Sequence, residues 1–293
     1  MRIDFRPIYL ERNQGHGNAR RVSLANCSNS LVALMDADDI SLADRFQKQL
    51  AVFVKEKDVD IVGGQITEFI DNPCNIVDKR VVPETDIEIK EYMKKRCPMN
   101  QVSVMFKKKF VDSVGGYIDW YCEEDYYLWI RMAQANAKFL NLKDTLVNVR
   151  IGDEMSSRRG GWKYFLSEAR LQKYMLEQGI ISVIRFLYNV AIRFGGEVVV
   201  PDNVRVKLFK LMREKNSVDL SNEFIDKEEA VNYPPFSVAM CVYSGDNAEW
   251  FDAALGSVVN QTIPPNEIVL VVDGPISVSI QAVIDKYRTI CEV

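Results

Sequence analysis

The chain is 293 residues long, 47% hydrophobic, 27% charged and 10% aromatic, with a formal net charge of −4. That length holds one large domain or two small ones, and the ordinary composition excludes disordered, collagenous and low-complexity proteins. The acid excess argues against a nucleic-acid partner, so any anion site must be local. Six cysteines are scattered singly and His16 is the only histidine, which leaves no Cys/His framework for zinc. No signal-peptide core follows Met1, and no apolar run reaches the roughly 18 residues of a membrane span. The simplest expectation is a reducing cytoplasm.

In chain order, β-branched runs predict strands at Ile8–Leu10 and Leu31–Met35. Ser41 and Asp44 open a helix whose Leu42, Phe46, Leu50 and Phe53 share a face. Further strands are expected at Gln101–Phe106 and Thr145–Val149. Residues 162–213 look helical, with arginine and lysine among bulky apolar residues as on interfacial helices, which suits either packing on the domain or peripheral membrane contact. The stretch 214–235 carries Asp219, Glu223, Asp226, Glu228 and Glu229, ends in Pro234-Pro235, and reads as an acidic linker. Beyond it come a strand at Ser237–Val242, a helix opened by Asp246 with Glu249 as in a capping box, and a strand at Glu267–Val272. That helix should bury Trp250, Ala254 and Val258, and a last one Ile276, Ile280, Val283, Ile284 and Tyr287. Strands alternating with helices imply an α/β fold with a mostly parallel central sheet.

The order of the pieces is unusual. Residues 236–293 read as the opening of a nucleotide-binding domain, whereas 1–160 begin at what should be its third strand. Joining the ends gives one uninterrupted series, so the chain reads as circularly permuted: 236–293 and 1–160 form the domain, 161–213 a helical segment, and 214–235 a bridge between the old termini. A fragment cut across two tandem domains is the alternative.

The strongest chemical signal is Asp36-Ala37-Asp38-Asp39 directly after the strand Leu31–Met35. Carboxylates at a strand's C-terminal end face the crevice where open α/β sheets bind ligands, and hard oxygen donors suit Mg2+ or Mn2+. A bare Asp-x-Asp also occurs as an acidic turn with a helix cap.

The segment Asn13-Gln14-Gly15-His16-Gly17-Asn18-Ala19-Arg20 lies one helix ahead of these acids. Ser237–Gly245 forms a first strand, Gln261 closes the next helix, Asp273-Gly274 ends a strand, and Glu124-Asp125 lies downstream. Together these resemble the family-two glycosyltransferases of the GT-A fold, inverting enzymes that use nucleotide-sugar donors. The resemblance covers 236–293 and then 1–160, and implies roles position by position. Val242, Tyr243, Ser244 and Asp273 would meet the nucleoside, with Val272 where many relatives carry a second acid. Asn13, Gly15, Ala19 and Arg20 would abut the diphosphate, although Arg21 and Ser23 depart from the usual residues. Asp36 and Asp38 would hold Mn2+ or Mg2+, with Asp39 a helper or cap.

Glu124-Asp125 matches the family's acidic pair, with Asp125 the general base that a single inverting displacement requires and Glu124 orienting the site. The flanking Tyr121, Tyr126, Tyr127 and Trp129 suggest an aromatic sugar platform, with Tyr121 and Trp129 acceptor contacts. Gln101 stands where relatives often carry a histidine beside the acceptor. Arg150, Arg158 and Arg159 resemble the mobile loop that grips the diphosphate, and a solvated basic loop fits them nearly as well. The expected function is metal-dependent transfer of a sugar from a UDP-sugar to a glycan or lipid-linked hydroxyl, at the inner face of the plasma membrane if the helical segment docks there. Loss of family residues at 272, 21, 23 and 101 makes a nucleotide-sugar-binding pseudoenzyme the alternative. A nucleotidyltransferase would carry a basic phosphate loop, and the turn Tyr243–Ala248 has no basic residue.

Overall fold

The computed structural model describes residues 2–152, 161–199 and 232–292. Nine strands form one sheet: β1 (Asp4–Tyr9), β2 (Leu31–Met35), β3 (Ile40–Ser41), β4 (Ile61–Phe69), β5 (Ile76–Arg80), β6 (Met105–Lys107), β7 (Phe139–Arg150), β8 (Phe236–Val242) and β9 (Glu267–Val272). The helices are α1 (His16–Asn26), α2 (Arg45–Lys55), α3 (Asp86–Met93), α4 (Lys108–Ser113), α5 (Glu124–Gln134), α6 (Gly161–Glu177), α7 (Val183–Phe194), α8 (Ala248–Val259) and α9 (Val278–Glu292).

The sheet runs β1-β9-β8-β2-β6-β4-β7-β3, with β5 on β4. Its first four strands are parallel, and beyond β2 it becomes mixed. β8 and β9 are buried along their length, as expected of parallel strands covered on both faces. They lie between β1 and β2, so strands from the end of the chain complete the sheet begun at its start. Leu31 pairs with Phe236 and Met35 with Met240, while Val242 pairs with Val272, so β2, β8 and β9 end along one edge. Two hydrophobic clusters flank the sheet: one gathers α2, α8 and α9, the other α3, α5 and α6.

Several expected details shift. Gln101–Ser103 is a single 3-10 turn, and only Met105–Lys107 joins the sheet. The N-cap of α8 is Asn247, whose Oδ1 accepts from the amides of Glu249 and Trp250; Asp246 instead accepts from the amide of Tyr243. Its buried stripe is Phe251, Ala254, Leu255 and Val258, one position round from the expected face, so Trp250 is half-exposed. Ser41 belongs to β3, and α2 begins at Arg45 with Phe46, Leu50 and Phe53 inside. Ile276 precedes α9, which buries Ile280, Val283, Ile284 and Tyr287. Of the expected linker, only residues 232–235 lie within the described residues.

Candidate active site

Three strand ends converge at the aligned edge: Asp36 after β2, Tyr243-Ser244 after β8, and Asp273 after β9. Asp273 is tied to the opposite half of the sequence. Its Oδ1 accepts from the amide of Gln14 at 2.7 Å and its Oδ2 from that of Gly15 at 3.0 Å. Gly15 has a φ of 84°, a conformation that suits glycine and lets the loop turn its amides onto the carboxylate before α1 begins. Gly274 is as constrained, with φ 90° and a position where a Cβ would lie 2.6 Å from the Asn13 nitrogen.

Arg20, on the first turns of α1, joins the two acidic sets. Its Nη2 donates to Asp36 Oδ1 at 3.0 Å and its Nη1 to Glu124 Oε1 at 2.9 Å. Burial works against the guanidinium's charge, but Asp36 and Glu124 outweigh it and hold its pKa above the ordinary value. Glu124 and Asp125 start α5, where the helix N-terminus favours carboxylates. Burial and then Asp125 raise the pKa of Glu124, with Arg20 opposing them. Asp125 Oδ1 accepts from the amide of Tyr126 at 2.7 Å. The thiol of Cys97 lies 3.8 Å from Asp125 Oδ2, and burial followed by that charge lifts its pKa.

Behind the pair sits Tyr117, buried and bonded to Gln101 Nε2 at 3.3 Å; burial keeps its phenol protonated. Glu123 is buried too. Burial, Glu168 and Asp125 push its pKa well up, while Arg193 acts the other way.

Other expected residues fall as follows. Val242 and Ala19 are buried, and Val242 serves through its carbonyl, which accepts from the amide of Asp273 at 2.8 Å. Tyr243 meets the His16 ring edge-on at 6.3 Å, and Ser244 and Asn13 are exposed beside the cleft. Asp38 is half-exposed. Asp39 is buried and accepts from the amide of Arg150 at 2.8 Å, so it fastens β7 to the acidic turn. Burial, then Asp38 and Asp36, raise its pKa well above the carboxylate range.

The aromatic platform is corrected. Trp129 and Tyr126 lie inside the core, Trp129 packed with Phe106 and Tyr117, because positions i, i+3 and i+4 of α5 form its inward stripe. Tyr127 is held by Trp120 and Tyr174. Tyr121 alone of the four is substantially exposed, with Lys163 Nζ 3.8 Å from its ring centroid. Arg150 is also turned to a structural use. It donates to the carbonyls of Asp38 and Asp71 at 3.1 and 2.8 Å, between the rings of Phe69 and Trp250. Arg158 and Arg159 lie outside the described residues.

Sequence reading missed Cys97 and the Glu123–Glu168–Arg193 group. Nothing in the spacing of Cys97 signals its approach to Asp125. Among the described residues, no three His, Cys, Asp or Glu side chains gather as a metal cage. Asp36 and Asp38 still fit a cation whose remaining ligands are substrate phosphates and water.

Parallel strands that end beside acids at one edge, with helices on both faces of the sheet, define an α/β domain of the kind that binds ligands outside its strand ends. The family model described as glycosyl transferase family 2 matches residues 1–112. An uncharacterized glycosyltransferase of Haemophilus influenzae is 37% identical over 214 residues, 73% of this chain and 79% of that protein. The UDP-Gal:alpha-D-GlcNAc-diphosphoundecaprenol beta-1,3-galactosyltransferase of Escherichia coli is 35% identical over 208 residues, 71% of this chain and 75% of its own. The amylovoran biosynthesis glycosyltransferase AmsE of Erwinia amylovora is 34% identical over 169 residues, 58% and 63% of the two chains. The chain belongs to glycosyltransferase family 2 and is a glycosyltransferase with a GT-A-type fold.

Proposed function

We propose that the protein moves a sugar, with inversion, from a UDP-sugar to a hydroxyl of a lipid-linked glycan at the inner face of the plasma membrane. One observation carries the reading: Arg20 holds Asp36, at the donor-side strand end, and Glu124, of the acid pair, on a single guanidinium. That link supports a reading in which donor and acceptor machinery share one cleft. The E. coli relative's name specifies UDP-galactose and a diphosphoundecaprenol acceptor, which supports both substrate classes.

In this reading Asp125 accepts the proton of the acceptor hydroxyl as its oxygen bonds to the anomeric carbon. The bond from that carbon to the diphosphate oxygen breaks, and UDP leaves with the electron pair. Glu124, fixed by Arg20, keeps the acid pair in register. Asp273 has both oxygens occupied by loop amides, and each retains a further acceptor site for the nucleoside. Asp36 and Asp38 would hold Mn2+ or Mg2+, which when bound offsets the charge on the departing diphosphate. We read the strand order as a circular permutation of the family arrangement, supported by β8 and β9 completing the sheet between β1 and β2.

Turnover of UDP-sugars with lipid-linked acceptors, measured with and without Mn2+, tests the proposal. Asp125→Asn is expected to lower kcat by about 10²–10⁴-fold while leaving Mn2+-dependent UDP binding intact. Wild-type turnover by that variant removes the base assignment. Donor binding with no transfer by the native protein would instead support a nucleotide-sugar-binding module.

A further inference from the structure

Helix α7 is built inside out. The centre of its inward face is polar: Asn189 is buried and donates to Lys94 O at 2.9 Å and Gln172 Oε1 at 2.8 Å. One turn on, Arg193 pairs with Glu168 at 2.9 Å and donates to Lys95 O at 2.8 Å. The outward face is apolar. Ile184 is 81% exposed and Leu187 60%, and Val183, Tyr188 and Ile192 stand beside them. A helix that merely packs on its own domain shows the opposite arrangement. Here the polar groups fasten the helix down and the apolar ones are presented.

The surroundings select what meets that face. The helix carries no acid, and of its two arginines Arg193 is spent on Glu168 while Arg185 is half-exposed. It rests on the Lys94-Lys95-Arg96 turn, where Lys95 and Arg96 are exposed. Trp162, at the start of α6, is 59% exposed and packs 5.9 Å from Phe194 at the far end of α7. Bulky aliphatic residues between aromatic rings, with a basic rim, match the headgroup zone of an anionic bilayer. A protein partner of neutral surface would leave the basic rim unused.

The face is also well placed. α6 carries Lys163 over the Tyr121 ring, and Ser167 accepts through its carbonyl from Trp120 Nε1 at 3.4 Å. The loop that leads into Glu124 and Asp125 thus leans on the same helical hairpin.

We infer that the outward face of α7, with Trp162, docks the enzyme on an anionic lipid surface and so brings the acid pair to a lipid-linked acceptor. The purpose of that docking rests on the proposed acceptor; the docking itself does not, because it is measured without turnover. The full chain is floated with vesicles of phosphatidylcholine containing phosphatidylglycerol, and with phosphatidylcholine alone. Wild type is expected to rise with the anionic vesicles, less so at high salt, and the Ile184→Glu/Leu187→Glu variant to bind about tenfold less or weaker. Brominated phosphatidylglycerol should quench wild-type tryptophan fluorescence, and Trp162→Phe should lose most of that quenching. This second readout stands even if the double variant fails to fold. Failure of wild type to float, equal binding by a folded double variant, or a self-associated wild type that the variant turns monomeric would each overturn the inference. The last result would make the face a contact between copies of the chain.

Discussion

Replacing Arg20 with glutamine tests the joint between the two halves of the cleft. The guanidinium makes two charged hydrogen bonds, to a Glu124 side chain 13% exposed and an Asp36 side chain 42% exposed. Removing one partner of a buried pair costs about 3–5 kcal/mol. The open Asp36 side is screened by water and contributes little, and Glu124 can take up a proton, so the expected net loss is about 2–3 kcal/mol. At about 2–4 °C per kcal/mol, the melting temperature should fall by ~4–12 °C at pH 8. The loss should shrink on acidification. Glu124 already has a raised pKa, and without Arg20 it rises further, so the folded variant binds the proton more tightly than the unfolded chain. Its stability then declines as pH climbs from about 4.3 through that raised value. Thermal unfolding from pH 5 to pH 8, with UDP titrations at each end, reads both effects. A variant that melts within about 1 °C of wild type at pH 8 and binds UDP equally would refute the bridging role.

Three further substitutions extend the test. Glu123→Gln removes a buried acid whose pKa is raised by burial, Glu168 and Asp125, so it should raise the melting temperature at pH 8 by about 2–4 °C. By the same linkage, this gain should disappear near pH 4.5, where the native acid is already protonated; a pH-independent gain would point to packing instead. Gly274→Ala should weaken UDP binding and lower the melting temperature, since its Cβ meets the Asn13 backbone at φ 90°. Gly152→Ala has nothing within 4 Å and should be neutral in both assays.

Where function depends on strand ends, the sequence was readable. Leu31–Met35 and Ile268–Val272 are uninterrupted apolar runs, and the strands predicted on them, Leu31–Met35 and Glu267–Val272, match the observed ones residue for residue. β4 was missed because Gly63-Gly64, Gln65, Thr67 and Glu68 break the run, although every residue in it is buried. Tertiary contacts compensate: Gln65 exchanges hydrogen bonds with the backbone of Val82, and Ser103 donates to the Gly64 carbonyl. Such partners come from distant sequence and leave no periodic trace. Trp129 failed for another reason. Aromatic residues beside acids suggested a sugar platform, while their helical spacing already marked an inward stripe. Arg150 shows the limit of reading charge: its guanidinium donates to two carbonyls and lies between two rings, partners that no local pattern announces.

The placement of β8 and β9 has a bearing on biosynthesis. Asn29 meets Ser237 across 208 residues of chain, and β2 has no parallel neighbour until those downstream strands have been made. On the ribosome β2 can pair with antiparallel β6, but its other edge and the whole of β1 stay open until β8 and β9 are translated. Such late, long-range closure slows folding and exposes sticky strand borders to other nascent chains.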